Sequence, residues 1–163
     1  MVKATGAGFD NPDIGTASGG GQTYTSRVYL SQTSQAVVRI STAVVGGSPG
    51  SMAVTQAFTT SGGWHSAVVE RWGNAQLAAS PAVASGFVSG APSLIISTVV
   101  DSSVVSWVSA DWNAQAPGTP AYRSSATQDG LHDKSAIGAY VAYFAYQSTG
   151  AAGHANHGAY FTW

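Results

Sequence analysis

The chain has 163 residues, of which 8% are charged, with a net charge of −1 and no cysteine. The low charge and the lack of a basic run argue against nucleic-acid binding, and the lack of cysteine excludes disulfides, thiolate metal sites and cysteine nucleophiles. Five Trp, seven Tyr and five Phe predict one packed domain rather than a disordered chain. No apolar run reaches the length of a membrane helix, so membrane insertion is not expected.

The first 21 residues are rich in glycine and end in the run Ser18-Gly19-Gly20-Gly21. Such a composition is typical of flexible chain ends. We therefore predict a flexible N-terminal arm over residues 1–21, with Phe9 and Ile14 as anchors on a neighbour, and a folded domain over residues 22–163.

Four segments of the first half alternate apolar and polar residues, which predicts half-buried strands. Turn residues, mostly Gly and Pro, separate them. The predicted strands are Gln22–Leu30, Ala36–Val45, Met52–Phe58 and Trp64–Trp72.

The segment Ser93–Asn113 is the longest β-branched, apolar run of the chain, and Asp101-Ser102-Ser103 splits it in two. Runs rich in Val and Ile that turn residues bound are typical of strands. We predict that they form two adjacent central strands of one antiparallel sheet. Four side chains are then expected in the core: Leu94, Ile96, Val105 and Trp107.

The last third contains a Gly- and Pro-rich stretch over residues 113–138, which we interpret as a long irregular loop. A strand is predicted over Tyr140–Tyr146, a turn-rich loop over Gly150–Gly158, and a final strand from Ala159 to Trp163. No segment shows the 3.6-residue period and caps of a helix. About eight or nine short strands joined by turns predict an all-β antiparallel β-sandwich, of jelly-roll or Ig-like type.

Several short motifs carry a resemblance to a known family. They are Val68–Trp72, Ala91-Pro92-Ser93, the segment Val105–Ala114 and the turn Gly150–Gly153. Over residues 36–163 the chain resembles the β-sandwich module of minor tail and other virion surface proteins of phages that infect actinobacteria. The resemblance implies a non-enzymatic structural protein of the virion. It would assemble as a homo-oligomer with other virion proteins, contact a host-surface glycan, and be released by lysis.

The two chain ends suggest how such a protein would assemble. The family that the chain resembles usually continues past the position of Trp163 into one more strand. Either this product is truncated or another chain supplies the missing strand, since an open sheet edge pairs readily with another chain. We therefore expect residues 1–21 or 159–163 to lie against a neighbouring subunit.

His154 and His157 are the candidate metal ligands, with His132 and Asp133 as possible completing groups. Two imidazoles and a carboxylate suffice for a divalent metal, but spacing alone does not bring residue 132 near residue 154. Histidines in loops are usually exposed polar residues that bind nothing, so we expect no metal and no cofactor.

Asp111 is the candidate acid–base residue, with Asp101, Asp129 or Asp133 as a partner carboxylate. The acids are few and scattered, so we favour a structural role for Asp111 as the cap of the loop turn that follows it. No G-x-S-x-G motif occurs. A glycan hydrolase or metalloenzyme is therefore the least favoured function.

Carbohydrate binding by the 113–138 loop is the alternative function. Flat aromatic faces beside amides and carboxylates bind sugars by stacking and hydrogen bonding, although core packing is the commoner fate of each ring. The candidate glycan-binding residues are Trp112, Asn113, Tyr122, Asp129, His132 and Tyr140.

Overall fold

The computed structural model is all-β, and its described residues contain no α-helix. It describes residues 1–8, 12–47, 50–59, 63–73, 75–78, 81, 83–87, 94–98, 103–112, 119–123, 126–133, 140–148, 153–157 and 159–162, with backbone alone at 112, 119–120, 153–157 and 159–162. The strands are β1 (Val2–Ala7), β2 (Thr25–Gln32), β3 (Ala36–Thr42), β4 (Trp64–Val69), β5 (Leu94–Thr98), β6 (Val104–Trp112), β7 (Thr119–Tyr122), β8 (Thr127–Asp133), β9 (Tyr140–Ser148), β10 (Gly153–His157) and β11 (Ala159–Thr162). The predicted all-β, antiparallel class is confirmed, since every strand pair is antiparallel.

The chain divides into two compact units, Met1–Pro81 and Ala82–Trp163. The first unit contains β1 to β4 and the second contains β5 to β11. The predicted boundary after residue 21 falls inside the first unit, because β1 and β2 belong to the same sheet.

The first unit is built on a four-stranded antiparallel sheet in the order β2-β3-β1-β4. β1 lies between β3 and β4, with Val2 opposite Ser41 on one side and Val69 on the other. All six residues of β1 are buried. The prediction of a flexible arm over residues 1–21 is wrong for this strand. Gly and Ala make the segment look like a linker, but small side chains also suit a strand that is covered on both faces.

The segment after β1 also packs on its own unit. Ile14 is fully buried and forms an isolated bridge with Phe58, while Ser18 bridges Thr55. Ile14 is thus an anchor, but to its own chain rather than to a neighbour, and Phe9 lies outside the described residues. The strand predicted over Met52–Phe58 forms only these two bridges among its described residues.

The other predicted strands of the first unit are confirmed with changed ends. β2 and β3 form a hairpin whose turn holds Ser34 at a φ of 55°. β4 ends at Val69 instead of Trp72, and Gly63 precedes it with a φ of 104°. A side chain is strained in that conformation, so glycine suits the entry to β4.

The second unit contains a three-stranded sheet in the order β6-β9-β8. β9 is its central strand, and residues 140–145 of that strand are buried. Trp107 and Val105 are also buried, with 8% and 6% of their surface exposed, which confirms two of the four predicted core positions. Trp107 packs with Val141 and Tyr143 on one face of the sheet.

The two halves of the 93–113 segment are strands, but they are not neighbours. β5 pairs with β10, whereas β6 pairs with β9. Leu94 and Ile96 are only half-buried and Ile95 is 64% exposed, so the core prediction is wrong for β5. β-branched residues favour extended backbone, but they do not specify which strand becomes the neighbour.

Two predicted loops contain strands. The 113–138 stretch holds β7 and β8, and the 150–158 stretch holds β10. Pro120 within β7 and a bulge between Gln128 and Gly130 in β8 interrupt the alternation that would have indicated strands. Gly and Pro residues in this chain therefore occur at irregular positions inside strands as well as in the turns that end strands.

The two terminal strands pair within their own chain. β1 pairs with β3 and β4, and β11 pairs with β7, with Phe161 opposite Pro120. The expectation that residues 1–21 or 159–163 lie against a neighbouring subunit rather than their own fold is therefore wrong for these strands.

Candidate functional site

The structure separates the predicted glycan-binding residues. Tyr140 begins β9 and is fully buried, so its ring offers no face to a ligand. His132 lies on the same face of the sheet and contacts Tyr140 edge-on, with ring centroids 5.6 Å apart. Trp112 pairs with Tyr140 at the end of β6, and Asn113 lies outside the described residues.

Tyr122 lies against the opposite face, where it forms an aromatic cluster with Trp107 and Tyr143. Its ring centroid is 5.7 Å from that of Trp107 and 6.4 Å from that of Tyr143. Tyr122 is half-buried and its hydroxyl donates a hydrogen bond of 2.7 Å to Oε1 of Gln128 in β8. The aromatic cluster thus combines a core contact with one partly accessible phenol.

Burial and nearby carboxylates set the acidity of the two phenols. Burial raises the pKa of Tyr122 to about 12, and the charge of Asp129 adds to that effect. Burial also raises the pKa of Tyr143, with smaller contributions from Asp111, Asp133 and Tyr122. Both phenols therefore stay protonated and act as hydrogen-bond donors near neutral pH.

Asp111 and Asp133 lie on the same face of the sheet because each is paired with Val141, from β6 and from β8 respectively. Partial loss of hydration raises the pKa of Asp111. Two strand spacings separate the two backbones, about 9–10 Å. Asp111 lies inside β6, and the loop turn that it was expected to cap lies outside the described residues.

The expectation that His154 and His157 bind no metal stays a prediction. His154 and His157 lie in β10, opposite Ser97 and Leu94 of β5, where only the backbone is described. Among the side chains that are described, no group of three or more His, Cys, Asp or Glu residues is placed to hold a metal ion.

A buried charged cluster in the first unit is the feature that sequence reasoning missed. Lys3 Nζ contacts Glu70 Oε1, and the two side chains are 0% and 6% exposed. Trp72 Nε1 donates a 3.3 Å hydrogen bond to Glu70 Oε2. No local sequence signal marks this contact, because the two residues are 67 positions apart.

A second polar cluster of the first unit lies on its surface. The Arg39 guanidinium lies 4.5 Å above the centre of the Tyr29 ring, and Arg39 Nη1 donates to Thr16 Oγ1 over 2.7 Å. The Tyr29 hydroxyl donates to Asp13 Oδ1 over 2.6 Å. These contacts hold the segment around Ile14 against β2 and β3, which explains the cluster as a structural device.

A cleft of about 390 Å³ in the first unit is a weaker candidate site. No charged side chain and no histidine is among its lining residues, which are Gly20, Gln22, Val45, Gly46, Gly47, Gly50, Ser51 and Met52. This lining supplies no group suited to acid–base or metal chemistry.

Comparison with family models, with curated proteins and with solved structures found no match to this chain. In the described residues, no helix is both long enough and apolar enough to span a membrane.

Proposed function

We propose that the chain is a non-enzymatic structural component of a phage virion, in the tail or on the particle surface. It assembles as a homo-oligomer and with other virion proteins. One observation carries the proposal: large apolar side chains are exposed on strands. Ile95 is 64% exposed, Val69 53% and Leu131 37%. Exposed apolar side chains on strands supply the kind of surface that contacts between subunits bury.

The composition supports the same proposal. Only 8% of the residues are charged, and charged side chains are the groups depleted from the centres of protein interfaces. The resemblance to virion surface modules adds the location in the particle. The finer fold, a β-sandwich of jelly-roll or Ig-like type, belongs to the same proposal, because antiparallel sheets with buried central strands are the layers of such sandwiches.

The experiment that tests assembly is light scattering on the purified chain over a range of concentrations. We expect a homo-oligomer, weakened by Ile95→Thr, which removes apolar surface but keeps a β-branched side chain. Ile95→Val is the matched control and should assemble like the parent. A monomer at every concentration would overturn the homo-oligomer. Absence of the chain from purified particles, probed with an antibody, would overturn the virion location.

Carbohydrate binding is the second candidate function, and the aromatic cluster favours it. Tyr122 is half-buried, its hydroxyl is bound to Gln128, and the charge of Asp129 acts on it. An aromatic face beside an amide and a carboxylate suits a sugar ring. A glycan array with the parent and Tyr122→Ala tests this function, and binding unaffected by the substitution would exclude this site.

A further inference from the structure

The Lys3–Glu70 pair joins the first strand of the chain to the residue that follows β4. Lys3 lies in β1, and Glu70 comes immediately after Val69, the last residue of β4. Lys3 Nζ and Glu70 Oε1 are in direct contact although 67 residues separate them in sequence. Both side chains are almost completely removed from solvent.

The backbone fixes the relative position of the two side chains. Glu70 N donates to Met1 O over 2.9 Å, and the Met1 amino group donates to Glu70 O over 2.7 Å. Val2 lies opposite Val69 in the ladder. Lys3 and Glu70 are therefore diagonal neighbours on one face of an antiparallel pair, a spacing that long side chains bridge.

The contact gives a proton a direct path between the two groups, since Lys3 Nζ and Glu70 Oε1 are hydrogen-bonded and both side chains lie away from solvent. A proton that passes from the ammonium to the carboxylate leaves an amine beside a carboxylic acid. Trp72 Nε1 donates to the second carboxyl oxygen, Oε2, so a hydrogen-bond donor already faces the oxygen on which negative charge would develop.

We propose that Lys3 and Glu70 condense to form an intramolecular amide. The neutral Nζ attacks Cδ of the protonated carboxyl, and Trp72 Nε1 stabilises the charge on Oε2. The Cδ–Oε1 bond breaks, Oε1 takes a second proton from Nζ, and one water leaves. An ammonium and a carboxylate thus become one N–H amide and one water, with no other reactant and no change in net charge.

The contact between the two side chains favours this step by holding the reacting groups together. Reacting groups that a protein holds in contact behave as if at effective molarities on the order of 10⁵–10⁸ M. The product also replaces two buried charges with one neutral amide. The cross-link is independent of the proposed role in a virion, and it closes a covalent ring from β1 to the end of β4.

Mass spectrometry of the full chain tests the amide. The parent should weigh one water less than its sequence. After denaturation and trypsin digestion, the amide should block cleavage after Lys3 and yield residues 1–27 joined to residues 40–71, at one water below the sum of the two peptides. Lys3→Arg is the matched control, because it keeps the cation but cannot form this amide, and its digest should release the 40–71 peptide free.

The readout does not depend on whether the variant folds, because the digest is made on denatured protein. A parent chain of full sequence mass, with cleavage after Lys3 and a free 40–71 peptide, would overturn the proposal.

Discussion

The central strands of the two larger sheets, β1 and β9, are both buried but are stabilised by different means. β1 carries small and polar residues, and its buried Lys3 contacts Glu70 while Thr5 Oγ1 donates to Val37 O over 3.0 Å. β9 instead carries aromatic residues, and Tyr143 packs in a cluster with other rings.

The difference shows that a central strand can be buried with small and polar side chains as well as with large aromatic ones. Polar side chains are tolerated in β1 because each of these two has a partner, as buried polar groups require. In β9 the stabilisation comes from the area and the contacts of large rings. The two sheets should therefore respond differently to substitution.

Glu70→Ala should produce the largest effect, a loss of about 3–5 kcal/mol of unfolding free energy, because it removes the partner of Lys3 and leaves a buried amino group uncompensated. Chemical denaturation monitored by tryptophan fluorescence measures it. Arg71→Ala, the neighbouring exposed charge, is the control and should change stability little. Equal stabilities of the two variants would show that β1 does not depend on the pair.

Trp107→Ala tests the aromatic cluster in the second unit. The side chain is 8% exposed and packs with Val141 and Tyr143, so its loss should cost about 3–4 kcal/mol through lost burial and a cavity. Val104→Ala, on the same strand but 37% exposed, should cost much less. A melting temperature unchanged by the Trp107 substitution would refute the cluster as the core of this sheet.

Gly63→Ala examines how β4 docks beside β1. The residue has a φ of 104°, and an added Cβ would lie 2.3 Å from the carbonyl oxygen of Ala7. We expect a loss of about 1–3 kcal/mol from backbone strain and the clash. Gly46→Ala is the control, because a Cβ there has no neighbour within 4 Å among the described residues, and calorimetry of the two variants measures the difference. The prediction fails if both variants melt together.

Asp13 in the first unit and Asp111 in the second should contribute to stability in acid with opposite signs. Hydrogen bonds from Tyr29 and from the Ile14 amide lower the pKa of Asp13, so its stabilising contribution is present above the ordinary Asp pKa and is lost as the pH falls through the lowered value. Desolvation raises the pKa of Asp111. The folded state then binds the proton more readily than the unfolded state, and stability is gained as the pH falls through the raised value.

Carboxyl titration by NMR measures both groups. Tyr29→Phe should raise the pKa of Asp13 towards its ordinary value and leave that of Asp111 unchanged. A pKa of Asp13 that does not move would contradict the role of the Tyr29 hydrogen bond.

The sequence predicted the class of the fold because strand formation is a local property. Alternation located β2, β3, β4 and β9, and β-branched runs located β5 and β6. Partner choice is not local, and this is why the predicted pairing of β5 with β6 is wrong. β1 was missed for another reason: its small residues, read without knowledge of β3 and β4, have the composition of a linker.

The sequence identified candidate glycan-binding residues one by one but did not predict which of them lie together. Tyr122 and Asp129 do interact, but Tyr140 lies on the other face and is buried. Period-two alternation assigns residues to faces only when the strand is recognised, and β7 and β8 were interpreted as loop. Lys3 and Glu70 were out of reach, because nothing local indicates a contact across 67 residues.

The order β2-β3-β1-β4 has a consequence for how the chain folds. β2 and β3 are joined by a short turn and close quickly, whereas β1 needs partners from β3 and from β4, far along the chain. Closing long loops costs entropy before their contacts form, so such pairings are slow. During synthesis β1 precedes both of its partners, and β4 is the later of the two to emerge. A newly made chain therefore passes through a stage in which β1 has at most one neighbour and its other edge is still open.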